Sequence, residues 1–294
     1  MRTFVSAVAV LIGLAMAAVA VPAMWVDRNI VQEDGFVALS APLGKDPAFQ
    51  RRLAAAAVSG IGFGDQQLPE SLTNAVKPIL EGAAQSLTSM PGYSDAWAET
   101  LRKSHRLSFP GPATPPAADA AGSTSVTLDV APLVGLVVKR VSESSPVPLP
   151  LKAPSEVRID IGQSDQRQLI DRVSAYAPMG AVVALGSVIA FLLAFVAARR
   201  KWTVLAGIGL GALVLAAAWK IGSEAAGRAV LATSSGNEVA EIFKREFVGA
   251  SAANFGQWIV AALVAGAVLL VAGIALRLAS GRRPPQTSAN NEHR

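Results

Sequence analysis

The chain has 294 residues, of which 52% are apolar, 16% charged and 6% aromatic, with no cysteine, two histidines and a formal net charge of +5. Soluble domains carry roughly a quarter charged residues, so this composition points to a membrane protein and excludes disordered and collagen-like chains. The lack of cysteine excludes disulfide scaffolds, thiol catalysis, iron–sulfur clusters and cysteine-based zinc sites.

Four stretches contain no Asp, Glu, Lys or Arg: Thr3 to Val26, Val173 to Ala198, Trp202 to Trp219 and Phe247 to Leu276. A hydrocarbon core about 30 Å thick takes roughly 20 helical residues to cross. The third stretch is the shortest, yet its helix would rise about 27 Å and spans if it stands nearly upright. The expected fold is mainly α, a four-helix transmembrane bundle with an extracytoplasmic α+β domain inserted between spans one and two. Residues 1–26, 173–198, 202–219 and 257–276 are the spans, 27–172 the large domain, 220–256 a second external loop and 277–294 a cytoplasmic tail. Ala18-Val19-Ala20 and Val21-Pro22-Ala23 also fit signal-peptide cleavage. The apolar run exceeds the roughly 7 to 15 residues of a signal peptide, and Trp25 stands beside it, so a retained anchor is the expectation.

After the first span, Asp46-Pro47 places a side-chain acceptor at an N-cap and a proline at the first helical position. A helix over Ala48 to Val58 follows, stopped at Gly60. Glu70 to Leu87 carries Leu72, Val76, Ile79, Leu80, Ala83 and Leu87 at helical spacing, with Pro78 expected to kink it. Ser94 is the expected cap of a third helix running through Leu107, with Trp97 and Leu101 on one face and His105 a turn further on. Residues 109–125 form a Pro/Ala-rich connector with too little apolar surface to offset chain ordering.

Beyond the connector the period changes to two. Val126, Leu128 and Val130 alternate with Thr127 and Asp129, while Val157, Ile159 and Ile161 alternate with Arg158 and Asp160. Both read as half-buried strands that pair with each other. An amphipathic helix over Leu133 to Ser142 and the stiff stretch PVPLPLKAP lie between them. Asp165 to Ala175 leads as a helix into span two. In the second loop, Ser235 and Glu238 form a capping box, and Val239, Ile242, Phe243 and Phe247 make a stripe with Glu241, Lys244 and Arg245 opposite. The balanced charge of that helix favours packing on the large domain over lying on the bilayer.

Basic residues of short flanking loops stay cytoplasmic. With both termini inside, Arg2, Arg199, Arg200, Lys201, Arg277, Arg282, Arg283 and Arg294 share one side with Glu292 alone opposing them, for +7. Residues 27–175 hold fourteen basic and sixteen acidic residues, and 220–257 hold four of each. The basic excess is therefore topological, and nucleic acid is not an expected partner. Trp25, Tyr176, Trp202, Trp219 and Trp258 stand at span edges, where an amphipathic ring suits the membrane–water interface.

The run Phe36-Val37 through Ala41-Pro42-Leu43, Asp46-Pro47-Ala48-Phe49-Gln50 and Leu53-Ala54 resembles the segment after the first span in a family of uncharacterised integral membrane proteins of GC-rich Gram-positive bacteria. The stretches SVTLDVAPLVGLVVKRV and EVRIDIG are similar to the same family, and so is the layout of one span, a long external domain and three C-terminal spans. This resemblance implies an envelope protein of the plasma membrane. It carries over no catalytic or binding residues, and the Pro/Ala connector shows no family pattern.

Motifs for chemistry are scarce. Gly60 to Gly64 ends a helix instead of linking a strand to a helix start, so it is not a dinucleotide fingerprint. No HExxH, GxSxG or Walker pattern occurs, and neither a cofactor nor a metal is expected. His105 reads as a packed side chain, and Asp27, Glu33 and Asp34 as solvated juxtamembrane charge. Gly207 and Gly211, reinforced by Gly209, form a GxxxG pair suited to close helix contact, with Ala262 and Gly266 as a facing surface. Packing within one chain is the plainer use of these residues, and homo-oligomerisation the sharper one. The span centres hold no ionisable residue, which argues against a proton-coupled or charged-substrate transporter. Lys220 sits at a span edge, where it can snorkel. The expected function is a non-enzymatic binding or assembly platform in the cell envelope, with the lipid bilayer and an envelope protein, lipid or glycan as partners. An oligomeric channel or export component is the alternative, and an enzyme comes third.

Overall fold

Only a helix satisfies every backbone N–H and C=O within one membrane segment, so long uncharged apolar runs become helices. The computed structural model describes residues 2–52, 82, 86, 89–109, 127–144, 154–160, 167–234 and 238–281. In chain order they form α1 (Arg2–Val26), a π-helical turn (Asp27–Val31), α2 (Glu33–Ser40), a 3-10 turn (Ala41–Lys45), helical residues 47–52, α3 (Tyr93–Ser108), β1 (Thr127–Asp129), α4 (Ala131–Ser144), β2 (Arg158–Asp160), α5 (Arg167–Tyr176), a 3-10 turn (Ala177–Met179), α6 (Gly180–Ala197), α7 (Lys201–Ala232) and α8 (Glu238–Gly281). Four helical stretches, Thr3–Val31, Ile170–Ala197, Lys201–Ala232 and Ala240–Ser280, are long and apolar enough to cross a membrane. The chain divides into two compact units. The first comprises Met1–Val21, Ala181–Gly222 and Gly256–Arg294, and the second Pro22–Gly180 and Ser223–Phe255.

The first unit has an inverted polarity. Leu11, Val19, Val182, Leu192, Val196 and Val271 are all more than half exposed. Buried Ser6 and Ser187, by contrast, donate their hydroxyls to the carbonyls of Ala194 at 2.9 Å and Gly13 at 2.8 Å. Apolar surface on this scale is not tolerated in water, whereas lipid accepts it and rewards inward-facing hydroxyls. The chain is a multi-pass membrane protein.

The second unit closes around Trp97 and Leu101 of α3, which the sequence places on one helical face. Phe36, Leu43, Phe49, Leu128, Val130, Leu133, Val134 and Val137 pack in the same core with Ala240 and Phe243 of α8. Phe243 meets Phe49 at 6.1 Å between ring centroids, and Phe247 meets Phe36 at 5.5 Å. Ile242, Phe243 and Phe247 of the apolar stripe thus pack on the same unit as α2 and α3, while the side chain of Val239 lies outside the described residues. The face opposite the stripe differs from expectation: Lys244 is buried, donates to the Thr233 carbonyl and pairs with Glu241 at 2.9 Å. A long aliphatic stem buries readily when its ammonium keeps polar partners.

The two alternating segments pair antiparallel, with Leu128 opposite Ile159. Each strand has only three residues, so the described part of the unit is helical with one short ladder, and the α+β class expected for it is not supported. Nor is β1 half-buried, since Thr127 and Asp129 are as buried as Leu128. Their N–H groups point away from β2 onto α3: Thr127 donates to Ser108 Oγ at 3.3 Å and Asp129 to Ser104 Oγ at 2.9 Å. Serines four apart on a helix are about 6 Å apart along its axis, close to the about 6.6 Å between alternate strand residues. The Asp129 carboxyl accepts from the Ala131 and Val157 N–H groups, both at 3.0 Å, and so ties the start of α4 to the entry of β2.

Other expectations meet the structure unevenly. Asp46 Oδ1 accepts from the Ala48 N–H at 2.8 Å, as an N-cap should. Ser94 is not a cap: α3 begins at Tyr93 after Gly92, whose φ of 84° makes the turn. Trp219 does not end a helix, because α7 runs on to Ala232, and α8 has 44 residues, about 66 Å of helix. Lys220 ends an apolar run but not a helix. The end of the helix through Val58, Gly60 to Gly64, nearly all of Glu70 to Leu87, most of the Pro/Ala connector and of PVPLPLKAP, Ser235, and the basic residues beyond Gly281 lie outside the described residues.

Replacing Asp129 by Ala orphans the buried Ala131 N–H, at about 1–3 kcal/mol, and releases the part-buried Val157 N–H. A lower melting temperature in detergent is expected for D129A, with a smaller loss for D129N, which keeps one acceptor. Equal melting of D129A and the parent would remove this carboxyl from the account of the fold.

Candidate functional site

Residues 36–50 pack along α3. Trp97 Nε1 donates to the Ser40 carbonyl at 3.4 Å, the Tyr93 hydroxyl to the Gly44 carbonyl at 2.9 Å, and the Gln50 amide to the Leu43 carbonyl at 3.3 Å. Phe49 meets the Trp97 ring edge-on at 5.7 Å. A Cβ on Gly44 would lie 2.5 Å from Trp97 Cδ1, so this residue must be glycine for the indole to sit where it does. Burial pushes the Tyr93 phenol above its usual range. Leu43, Gly44, Phe49 and Gln50 therefore serve packing. Ser40 Oγ, Gln50 Oε1 and Thr100 Oγ1 are buried without a hydrogen-bond partner among the described residues.

His105 extends the Trp97–Leu101 face by a further turn, as its spacing predicts. It is buried, its Nε2 donates to the Ile30 carbonyl at 3.0 Å, and its ring stacks on Phe109 at 4.9 Å and tilts against Phe36 at 5.2 Å. Desolvation lowers its pKa, only partly opposed by the hydrogen bond to Ile30 and the charge of Glu33. The three carboxylates near the first span do not converge on a cation. Asp27 accepts from the Gln32 amide at 2.8 Å and Glu33 pairs with Arg106 at 3.4 Å. Among the described residues no group of three His, Asp or Glu is placed to hold a metal ion.

The glycines of α7 are divided between two neighbours. A Cβ on Gly209 would lie 2.5 Å from the Leu270 nitrogen and 2.7 Å from the Gly266 carbonyl oxygen, and one on Gly273 would lie 2.7 Å from the Ala206 nitrogen. These contacts form an antiparallel backbone seam between α7 and α8. Gly207 and Gly211, each two residues from Gly209 and therefore about 200° around the helix, face α1 instead. Gly211 is covered by Leu14, while the nearest atom to a Cβ on Gly207 is Val10 Cγ1 at 4.0 Å. The expected pairing of Gly207 and Gly211 with Ala262 and Gly266 is thus replaced by Gly209 with Gly266, and Ala262, one turn from Gly266, is half-buried.

The five span-edge aromatics also separate. Trp25 is buried, donates its Nε1 to Asn254 Oδ1 at 2.8 Å and meets Phe255 edge-on at 5.3 Å, so it is an internal contact and not a surface anchor. Trp219 Nε1 donates to the Ala18 carbonyl at 3.0 Å. An indole N–H near lipid needs a partner, and here the protein supplies it. Trp202 lies under the Arg277 guanidinium at 5.0 Å, Trp258 is half-buried and Tyr176 exposed. Comparison with protein-family models, curated proteins and solved structures gave no match.

Two measurements check this geometry. G209L should separate α7 from α8 and lower the melting temperature sharply, whereas G207A should melt like the parent; the reverse order would invalidate the seam. A histidine whose folded pKa lies below its unfolded value stabilises fully above about pH 6.5 and loses that contribution as the pH falls through the lowered value. The melting temperature should therefore drop between about pH 7 and pH 5, and H105F should flatten that part of the profile.

Proposed function

We propose that the chain is a plasma-membrane protein with both termini in the cytoplasm, whose second unit lies outside the cell and binds another envelope component as an assembly platform, without catalysis of its own. The observation that carries this reading is the shared core. Phe36 and Phe49 follow the first span, Phe243 and Phe247 precede the fourth, and all pack together. Segments sharing one core lie on the same side of a bilayer, as alternation through four spans requires. The basic excess around Arg199–Lys201 and Arg277 supports placing the opposite side in the cytoplasm. The hydrogen bonds of α1 through Ser6, Gly13 and Ala18 support a retained first span. The resemblance to an envelope protein family supports the compartment.

The lack of ionisable groups at the span centres, together with the lack of a metal-holding group of His, Asp or Glu among the described residues, favours a platform over a pump or a metalloenzyme. The alternative, a multi-copy channel, gains no support from Gly209 and Gly211, which already make contacts within the chain.

The native chain has no cysteine, so single-cysteine labelling reads topology directly. Exposed D95C and S234C should react with an impermeant maleimide in intact cells, and R200C only after permeabilisation; the opposite pattern would overturn the orientation. Photo-crosslinkers at exposed Asp95, Lys139 and Arg140 should capture a discrete envelope component that one at lipid-facing Val196 does not. Identical capture from both sets would end the platform reading.

A further inference from the structure

The first unit has a half-open cavity of about 730 Å³ between α1, the connection Ala198–Arg200 and the start of α7. Its two ends differ in chemistry. Arg199 and Arg200 stand at one end, and Val10, Leu14 and Gly207 line the other. We propose that this cavity binds one anionic glycerophospholipid, with its phosphate on Arg199 and Arg200 and an acyl chain along Val10, Leu14 and Gly207.

Charge is the first support. Both arginines are exposed, and neither guanidinium pairs with a carboxylate among the described residues. The neighbouring cations are held elsewhere: Lys201 lies over the Phe195 ring at 5.2 Å and Arg277 over Trp202 at 5.0 Å. Ser6 and Thr203, which also line the cavity, donate their hydroxyls to the Ala194 and Arg200 carbonyls. What remains to meet a ligand is a pair of guanidinium groups, which favours a phosphate head of net negative charge over a zwitterionic one whose own ammonium opposes them. The residues lie where two apolar helices reach water, at headgroup level, and α7 begins there with the positive end of its peptide dipoles.

Shape is the second support. Gly211 is filled by Leu14, yet one turn earlier Gly207 has no neighbour nearer than Val10 Cγ1 at 4.0 Å. The cavity is therefore open where an acyl chain would enter, and Leu11 on its wall is 66% exposed to the surrounding hydrocarbon. Its volume falls in the range of about 300–1,000 Å³ of small-ligand sites. Soluble phosphate would leave the apolar end unused, so the bilayer is the source to which the geometry points.

The test uses the full-length protein in phosphatidylcholine nanodiscs containing a minor fraction of phosphatidylglycerol, with the lipid that stays bound after detergent extraction counted by native mass spectrometry. Phosphatidylglycerol should be retained in preference to phosphatidylcholine. R199Q and R200Q should each lower that preference about fivefold while melting like the parent, and R228Q should leave it unchanged. G207L should lower retention of both lipids by filling the acyl end, and V10F should do the same from the opposite wall. Added inorganic phosphate should not displace the lipid. No preference for phosphatidylglycerol, an equal loss in R228Q, or displacement by inorganic phosphate would overturn the proposal.

Discussion

Hydrocarbon offers no hydrogen-bond partner, and the polar groups of the first unit are arranged around that fact. Ser6, Ser187 and Trp219 donate to backbone carbonyls of a neighbouring helix, while valines and leucines turn outward. With few polar side chains to join the helices, close backbone approach does the rest. Gly209, Gly266 and Gly273 let α7 and α8 approach backbone to backbone, with Ala206 and Ala212 beside them.

The same constraint recurs inside the second unit, where the solvent to be replaced is water. A three-residue strand has few ladder partners, so β1 takes Ser104 and Ser108 of α3 as a substitute second edge. Asp129 then serves both the start of α4 and the chain entering β2. These are hydroxyl and carboxyl groups in structural roles.

Periodicity made part of this legible. The four apolar runs, the Trp97–Leu101–His105 face and the stripe through Phe243 and Phe247 follow from spacing alone, and Asp46 declares its cap. Rotation of a helix about its axis is not written in spacing. GxxxG marks Gly207 and Gly211 as small, but the neighbouring Gly209 makes the tighter contact with α8. Partners far apart in the chain are equally hidden: Trp25 at a span edge looks like an interface residue until Asn254 appears beside it. Alternation reads β1 as half-buried because Thr127 and Asp129 are polar, and polarity does not reveal that serines of α3 meet their N–H groups. Charge misled at Lys220, which can lie on the flank of a continuing helix.

The core shared by α3, α4 and α8 also sets an order of events during synthesis. Val137 leaves the ribosome about a hundred residues before Phe243, a delay on the order of ten seconds at ordinary elongation rates. Throughout that interval Phe36 and Phe49 have no Phe243 or Phe247 to cover them. The aromatic surface of the early segments thus stays incomplete until the start of α8 has been made.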